Sequence, residues 1–134
     1  MGTLTIVAAD VAPVEVFEKF TGPAAEAITK GQYVRYNVST GKIEIGNASS
    51  AEEGRNGGIA ITGANAAGIT ITAVRKGIID IGDAMSAMAY DADVFLSNTD
   101  GTLATSQGTG AYIVGTVVPA WGASTADKLL RVNL

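Results

Sequence analysis

Carboxylates a few residues apart are the first candidates for chemistry in this chain. Asp91-Ala92-Asp93 opens like a calcium loop, whose oxygen ligands come from alternate positions. The next ligand position falls on Phe95, and no bidentate glutamate follows at the right distance. Two surface carboxylates flanking a strand account for the pair. Asp80 and Asp83 straddle Gly82 and would chelate a cation with Asp91 or Asp93 only if the fold gathered them. Gly108-Thr109-Gly110 precedes an apparent strand and not a helix, so the geometry of a dinucleotide-binding turn is missing. Asn37-Val38-Ser39 and Asn47-Ala48-Ser49 match the glycosylation sequon, which has meaning only in a secreted chain. The N-terminal MGTLTIVAADVAP has neither the basic start nor the apolar core of a secretory signal.

Composition removes further chemistry. There is no cysteine, hence no disulfide, thiolate ligand or cysteine nucleophile. There is no histidine, hence no Ser-His-Asp mechanism and no imidazole ligand. The flanks of Lys76, Arg75 and Gly77, lack the Met-Lys or Asp-Lys pair by which lipoyl- or biotinyl-carrying lysines are presented. The expectation is a protein that is not an enzyme, with no catalytic set, no cofactor and no metal site. Charge is sparse, at 16% of residues, and even: residues 1–67 and 68–134 each carry a net −2. No basic arm or patch stands out along the sequence, so nucleic acid is not expected as a partner. No apolar run is long enough to span a membrane, so no membrane partner is expected and synthesis in the cytoplasm is.

The elements that must position these residues are strands. At 134 residues, with 17 glycines and many Thr and Ser, the composition fits one all-β domain with many turns. The stretch Gly57–Gly82 is the clearest signal. Ile59 and Ile61, then Ile69 and Ile71, alternate with small or polar residues, and Ile78, Ile79 and Ile81 follow after Arg75-Lys76-Gly77. Period-2 alternation between glycine-bearing breaks predicts three short strands, with a corner at Arg75-Lys76-Gly77. Gln32–Val38 and Lys42–Gly46 read as a hairpin, with Gly41 supplying the left-handed turn position. Asn47–Asn56 reads as a surface loop with one helical turn. Asp83 is placed to cap a short helical segment over Ala84–Ala89, with Met85 and Met88 on one face. Asp93–Ser97, Ala111–Pro119 and Leu129–Leu134 read as further strands. Short strands at this spacing predict a sandwich or small barrel.

Before Gly22 the pattern changes. Leu4–Ala9 alternates and stops near Pro13, as a terminal strand that pairs at a sheet edge or extends as an arm. Val14, Val16 and Phe20 fall on one face of the next stretch and Phe17 on the other, with Glu15, Glu18 and Lys19 between. Apolar residues on both faces point to an edge or intersubunit position. Trp121, the only tryptophan, reads as a core residue or as an interface anchor.

Three blocks in order carry a resemblance: GPAAEAITKGQYVRYNVSTGKIEIGNASS, then GGIAITGANAAGITITAVRKGIIDIGDAMSAMAYDADVFLSNTDGTLAT, then YIVGTVVPAWGASTADKLLRVNL. Together they resemble the small capsid decoration (cement) proteins of tailed bacteriophages, over residues 22–134. The resemblance implies a β-barrel of the β-tulip type at 22–134, made of short antiparallel strands with one short helical turn and preceded by an N-terminal arm at 1–21. It also implies a homotrimer on the outer surface of the capsid that clamps major capsid protein subunits. Thr3, Leu4, Thr5, Ile6 and Val7 would be the capsid-binding arm. Val14, Val16, Phe17, Phe20 and Trp121 are the interface candidates. A carbohydrate- or receptor-binding surface module is the alternative.

Overall fold

The computed structural model describes residues 2–120 and 128–134. The chain forms an all-β domain, a single antiparallel sheet curled into a half-closed barrel. After a short 3-10 turn at Ala8–Asp10, the strands are β1 (Val11–Pro23), β2 (Tyr33–Tyr36), β3 (Ile43–Ile45), β4 (Gly57–Ala60), β5 (Thr70–Ile81), β6 (Asp93–Leu96), β7 (Leu103–Ala104), β8 (Ile113–Pro119) and β9 (Lys128–Asn133). One helical turn, α1 (Ala51–Gly54), lies in the loop where a turn was expected. Ser50 caps it by accepting a hydrogen bond from the Glu53 amide. The sheet order is β3-β2-β4-β5-β9-β8-β6-β7.

β5 organises this order. Along one edge it pairs with β1 over its whole length. Its other edge is shared: β4 takes Ala73 and Val74, and β9 takes Lys76 to Ile79. The sheet therefore forks at Arg75. One half is β3-β2-β4, the other β9-β8-β6-β7, and β5 belongs to both. Away from β5 the two halves are joined by loop hydrogen bonds. Tyr33 donates its amide to Gly101 (3.0 Å), Gly101 to Gly46 (2.8 Å) and Ala48 to Ser97 (2.8 Å).

The expected corner at Arg75-Lys76-Gly77 is absent, because the chain runs straight through as one strand. What the sequence pattern registers there is a slip in alternation. Ile71 and Ala73 face one core, whereas Val74, Ile79 and Ile81 face the other. Moving from an even to an odd inward position requires one extra residue. That residue is Arg75, which has no register partner between the pairs Lys19↔Val74 and Glu18↔Lys76. A β-bulge thus transfers the strand from one core to the next without a turn. Gly77 has φ +152°, and a Cβ there would lie 2.3 Å from the Glu15 carbonyl oxygen, so only glycine fits.

The main core lies inside the curl and includes Tyr33, Ile59, Ile79, Leu96, Leu103 and Leu130. Fully burying side chains of this size stabilises the fold by about 1.5–3 kcal/mol each. A smaller core lies on the opposite face of the first half. There Val34, Ala60, Ala73 and Ile71 are covered by Ala24, Ile28 and Ala64. The covering segments are held by bridges, Ala24 to Ile43 and Ile28 to Ala64, with a bend at Ala25-Glu26 and no helix between them.

The expected helical segment after Asp83 is not formed either. The chain makes two successive tight turns, with Ser86 N donating to Asp83 O and Met88 N to Met85 O. Two interactions outweigh helix propensity. Met85 and Met88 are drawn into the main core, and the buried Lys128 ammonium donates to the Ser86 and Met88 carbonyls. Those carbonyls are then satisfied without a helical ladder. Among the described residues, no helix is long and apolar enough to cross a membrane.

Candidate functional site on the outer strand

β1 is the longest strand and the least covered one. Of its 13 residues only Val11 is buried, and its edge away from β5 has no strand beside it among the described residues. An open edge of this length invites pairing with another chain. The sequence blunts it with devices typical of protected edges. Pro13 and Pro23 stand near its ends, Glu15, Glu18 and Lys19 stand along it, and register shifts interrupt it at Val14 and Phe17. Backbone pairing along the full edge is thereby discouraged, and contact through side chains is left open.

The candidate side chains are placed as follows. Val14 and Phe17 are the two residues of β1 that the register skips, between Pro13 and Glu15 and between Val16 and Glu18. A skipped residue is re-aimed relative to its neighbours. Phe17 is 71% exposed and Val16 37%, while Val14 is half-buried. Phe20 differs: it packs on the smaller core and meets Tyr36 edge-on, with ring centroids 5.3 Å apart. Such pairs contribute about 0.5–1.5 kcal/mol beyond area burial. Phe20 is therefore part of the wall, half-buried against the smaller core. Trp121 lies outside the described residues.

Residues Thr3 to Val7 lie against their own barrel. Thr3 bridges Ala104, the Leu4 amide donates to Leu103 O (2.8 Å), and Leu4 and Ile6 pack half-buried on the main core. Thr3, Thr5 and Val7 face solvent. The segment thus takes the sheet-edge option, extending the β7 end through a single bridge.

The polar candidates resolve into local structure. Asp80 accepts the Gly82 amide at 2.8 Å, tightening the turn after β5. Among the described residues no three carboxylates come close enough to hold a metal ion. Thr109 of the Gly-Thr-Gly stretch donates its amide to Asn98 Oδ1, and Gly110 donates to the Ala48 carbonyl. Asn37 and Asn47 each cap a turn, accepting the amides of Ser39 and Ser49 at 2.8 Å. The Asn47 amide also reaches Asp100.

Several features have no sequence signature. Arg35 is buried and pairs with Glu44 at 2.7 Å across β2 and β3, with Glu53 at 3.6 Å. Tyr33 is fully buried and donates its hydroxyl to Gly54 O. Burial pushes its pKa up to about 12, an effect moderated by the nearby Arg75. Its ring occupies the space a side chain at Gly57 would need, since a Cβ there would sit 1.9 Å from the Tyr33 hydroxyl. The pairing of β2, β4 and β5 creates these environments, and no local pattern announces them. The surface around β1 offers contact area, charge and shape, the means of recognition. Comparison with known protein families, curated proteins and solved structures gave no match.

Proposed function

We propose that this chain is a structural decoration protein of a tailed-bacteriophage head. It binds the outer surface of the expanded capsid and clamps neighbouring major capsid protein subunits against the pressure of packaged DNA. It is not an enzyme, and it acts as a homotrimer on the virion. Two features support the reading. The order of the three sequence blocks resembles that protein family. The observation that carries the clamping role is β1, a 13-residue strand paired on one edge only among the described residues, with Phe17 71% exposed at a bulge.

A clamp needs a stiff body and a repeated contact. The body here is a closely packed double core, and β1 is the surface left for contact. Three such surfaces on one trimer act at high effective concentration, and avidity exceeds a single contact by about 10²–10⁴. Purified protein mixed with expanded, undecorated heads is expected to co-sediment with them and to raise their disruption temperature. Failure to bind such heads overturns the proposal. Trimers are expected to be visible at the contact points by electron cryomicroscopy, and isolated single copies there would remove the homotrimer from it.

A further inference from the structure

Charge that is even along the sequence is uneven on the folded surface. β1, β5 and β9 bring Lys19, Arg75, Lys76 and Arg131 to one part of the wall. Lys19 is the cross-strand partner of Val74, Glu18 of Lys76, and Arg131 of Ile78. Four of the nine cations thus sit near one another, with Glu15 and Glu18 the acidic side chains paired alongside them among the described residues, in a chain whose net charge is −4. In the ion pairs among the described residues Arg35 is the cation each time, and within that set these four make none. Glu18 stands opposite Lys76 without closing on it.

Arg75 points most directly to a ligand. It is the bulge residue of β5 and is partly buried, and its Nε–H is shielded from solvent with no acceptor among the described residues. A charged donor left unmet in this way is costly, and an acceptor brought from outside relieves it. Beside it lie two grooves. One, of about 350 Å³, runs over Phe20, Tyr36 and Ile43 with Arg75 and Lys19 at its margin. The other, of about 270 Å³, lies between Phe17 and β9, over Ile78 and Val132, flanked by Lys76 and Arg131.

We propose that this face receives an acidic segment of a partner protein. Carboxylates seat on Arg75, Lys76 and Arg131, and apolar side chains enter the two grooves beside Phe17 and Phe20. Glu18 lines the first groove. It repels a continuous phosphate backbone but tolerates a polypeptide whose charges are spaced, which favours protein over nucleic acid. The inference rests on the clamp reading for the identity of the partner, and on the charge pattern alone for its chemistry.

The test uses the full chain, isotopically labelled, titrated with a ten-residue peptide of alternating Glu and Val. Amide shifts at Lys76, Ile78 and Arg131 are expected. Affinity should fall about tenfold in the double variant Lys76→Gln, Arg131→Gln, whose sites are both exposed, and similarly when salt rises from about 50 to 300 mM. Arg75→Gln should weaken binding independently. No shift at millimolar peptide, or unchanged affinity in the double variant, overturns the proposal. So does tighter binding of oligothymidylate with the same shifts. Undecorated heads separate the two proposals. If the double variant binds heads as well as the unaltered chain, this face is not the contact and the clamp reading survives. If the unaltered chain ignores heads while the peptide still shifts the patch, the clamp reading fails and the acidic-segment site stands.

Discussion

β1 and β5 lie side by side for their whole lengths, yet they are opposite kinds of strand. β5 has a neighbour on both edges and buries Ile71, Ala73, Val74, Ile79 and Ile81. β1 has a neighbour on one edge and buries only Val11. The difference shows how work is divided in this fold. β5 supplies cohesion, because every side chain it turns inward is surrounded. β1 adds little apolar burial of its own and borrows its order from β5, which leaves its side chains available to something else. Bulges serve both strands, but to different ends: at Arg75 one carries β5 between two cores, and at Phe17 one leaves an aromatic ring in solvent.

Substitutions that respect this contrast should have effects of very different size. Ile79→Ala leaves a cavity in the main core and should cost about 2–5 kcal/mol in denaturant unfolding. A cost below about 1 kcal/mol would mean that β5 is not the cohesive strand. Gly77→Ala forces a side chain into a left-handed position against the Glu15 carbonyl. It should cost about 2–3 kcal/mol and increase hydrogen exchange along β1 more than elsewhere, since the clash falls on the β1–β5 seam. Uniform loosening would break the idea that β1 depends on this one seam.

Alkali tests the cohesive side separately. The Tyr33 hydroxyl has an ordinary pKa of 10 in the unfolded chain and about 12 in the folded one. The neutral form is thus the one the fold prefers. The associated stability is fully present below pH 10 and is lost as pH rises from 10 towards 12, by up to about 3 kcal/mol. Tyr33→Phe should abolish that alkaline step, at the cost of leaving the Gly54 carbonyl unmet at neutral pH. An identical alkaline profile in the variant would refute the assignment. The smallest effect is expected on β1. Phe17→Ser should change stability by less than about 0.5 kcal/mol, since the ring is mostly in solvent. It should nevertheless weaken binding to undecorated heads. A large loss of stability would place Phe17 with the cohesive residues.

The parts of the fold that are legible in the sequence are those set by neighbours in the chain. The β2–β3 hairpin follows from the alternation of Tyr33 to Tyr36, the return at Ile43 and Ile45, and the glycine at 41, whose φ is +72°. β6, β8 and β9 follow from runs bounded by turn residues. The exposed character of β1 was also legible, in its mixed apolar and charged pattern. The continuity of β5 was not, because a bulge and a corner both break period-2 alternation and leave the same mark. The turns at 83–89 are not legible locally, because Lys128, about 40 residues away, satisfies two of their carbonyls. The cationic face was hidden for the same kind of reason. Arg75 and Lys76 are adjacent, but Lys19 and Arg131 join them only through pairing on both edges of β5.

The position of β9 has a consequence for how the molecule comes together. It is the last of the strands, yet it lies in the middle of the sheet, between β5 and β8. Until it inserts, the half built from β6, β7 and β8 has no strand pairing to β5. Closing the gap joins Lys76–Ile79 to Leu130–Asn133 across roughly 50 residues of intervening chain. Loop closure must then precede the contacts that reward it, which places the domain among the slower-folding β topologies, on the millisecond-to-second scale. The same seam that completes the sheet is thus the slow step in making it, because it is closed by distant parts of the chain.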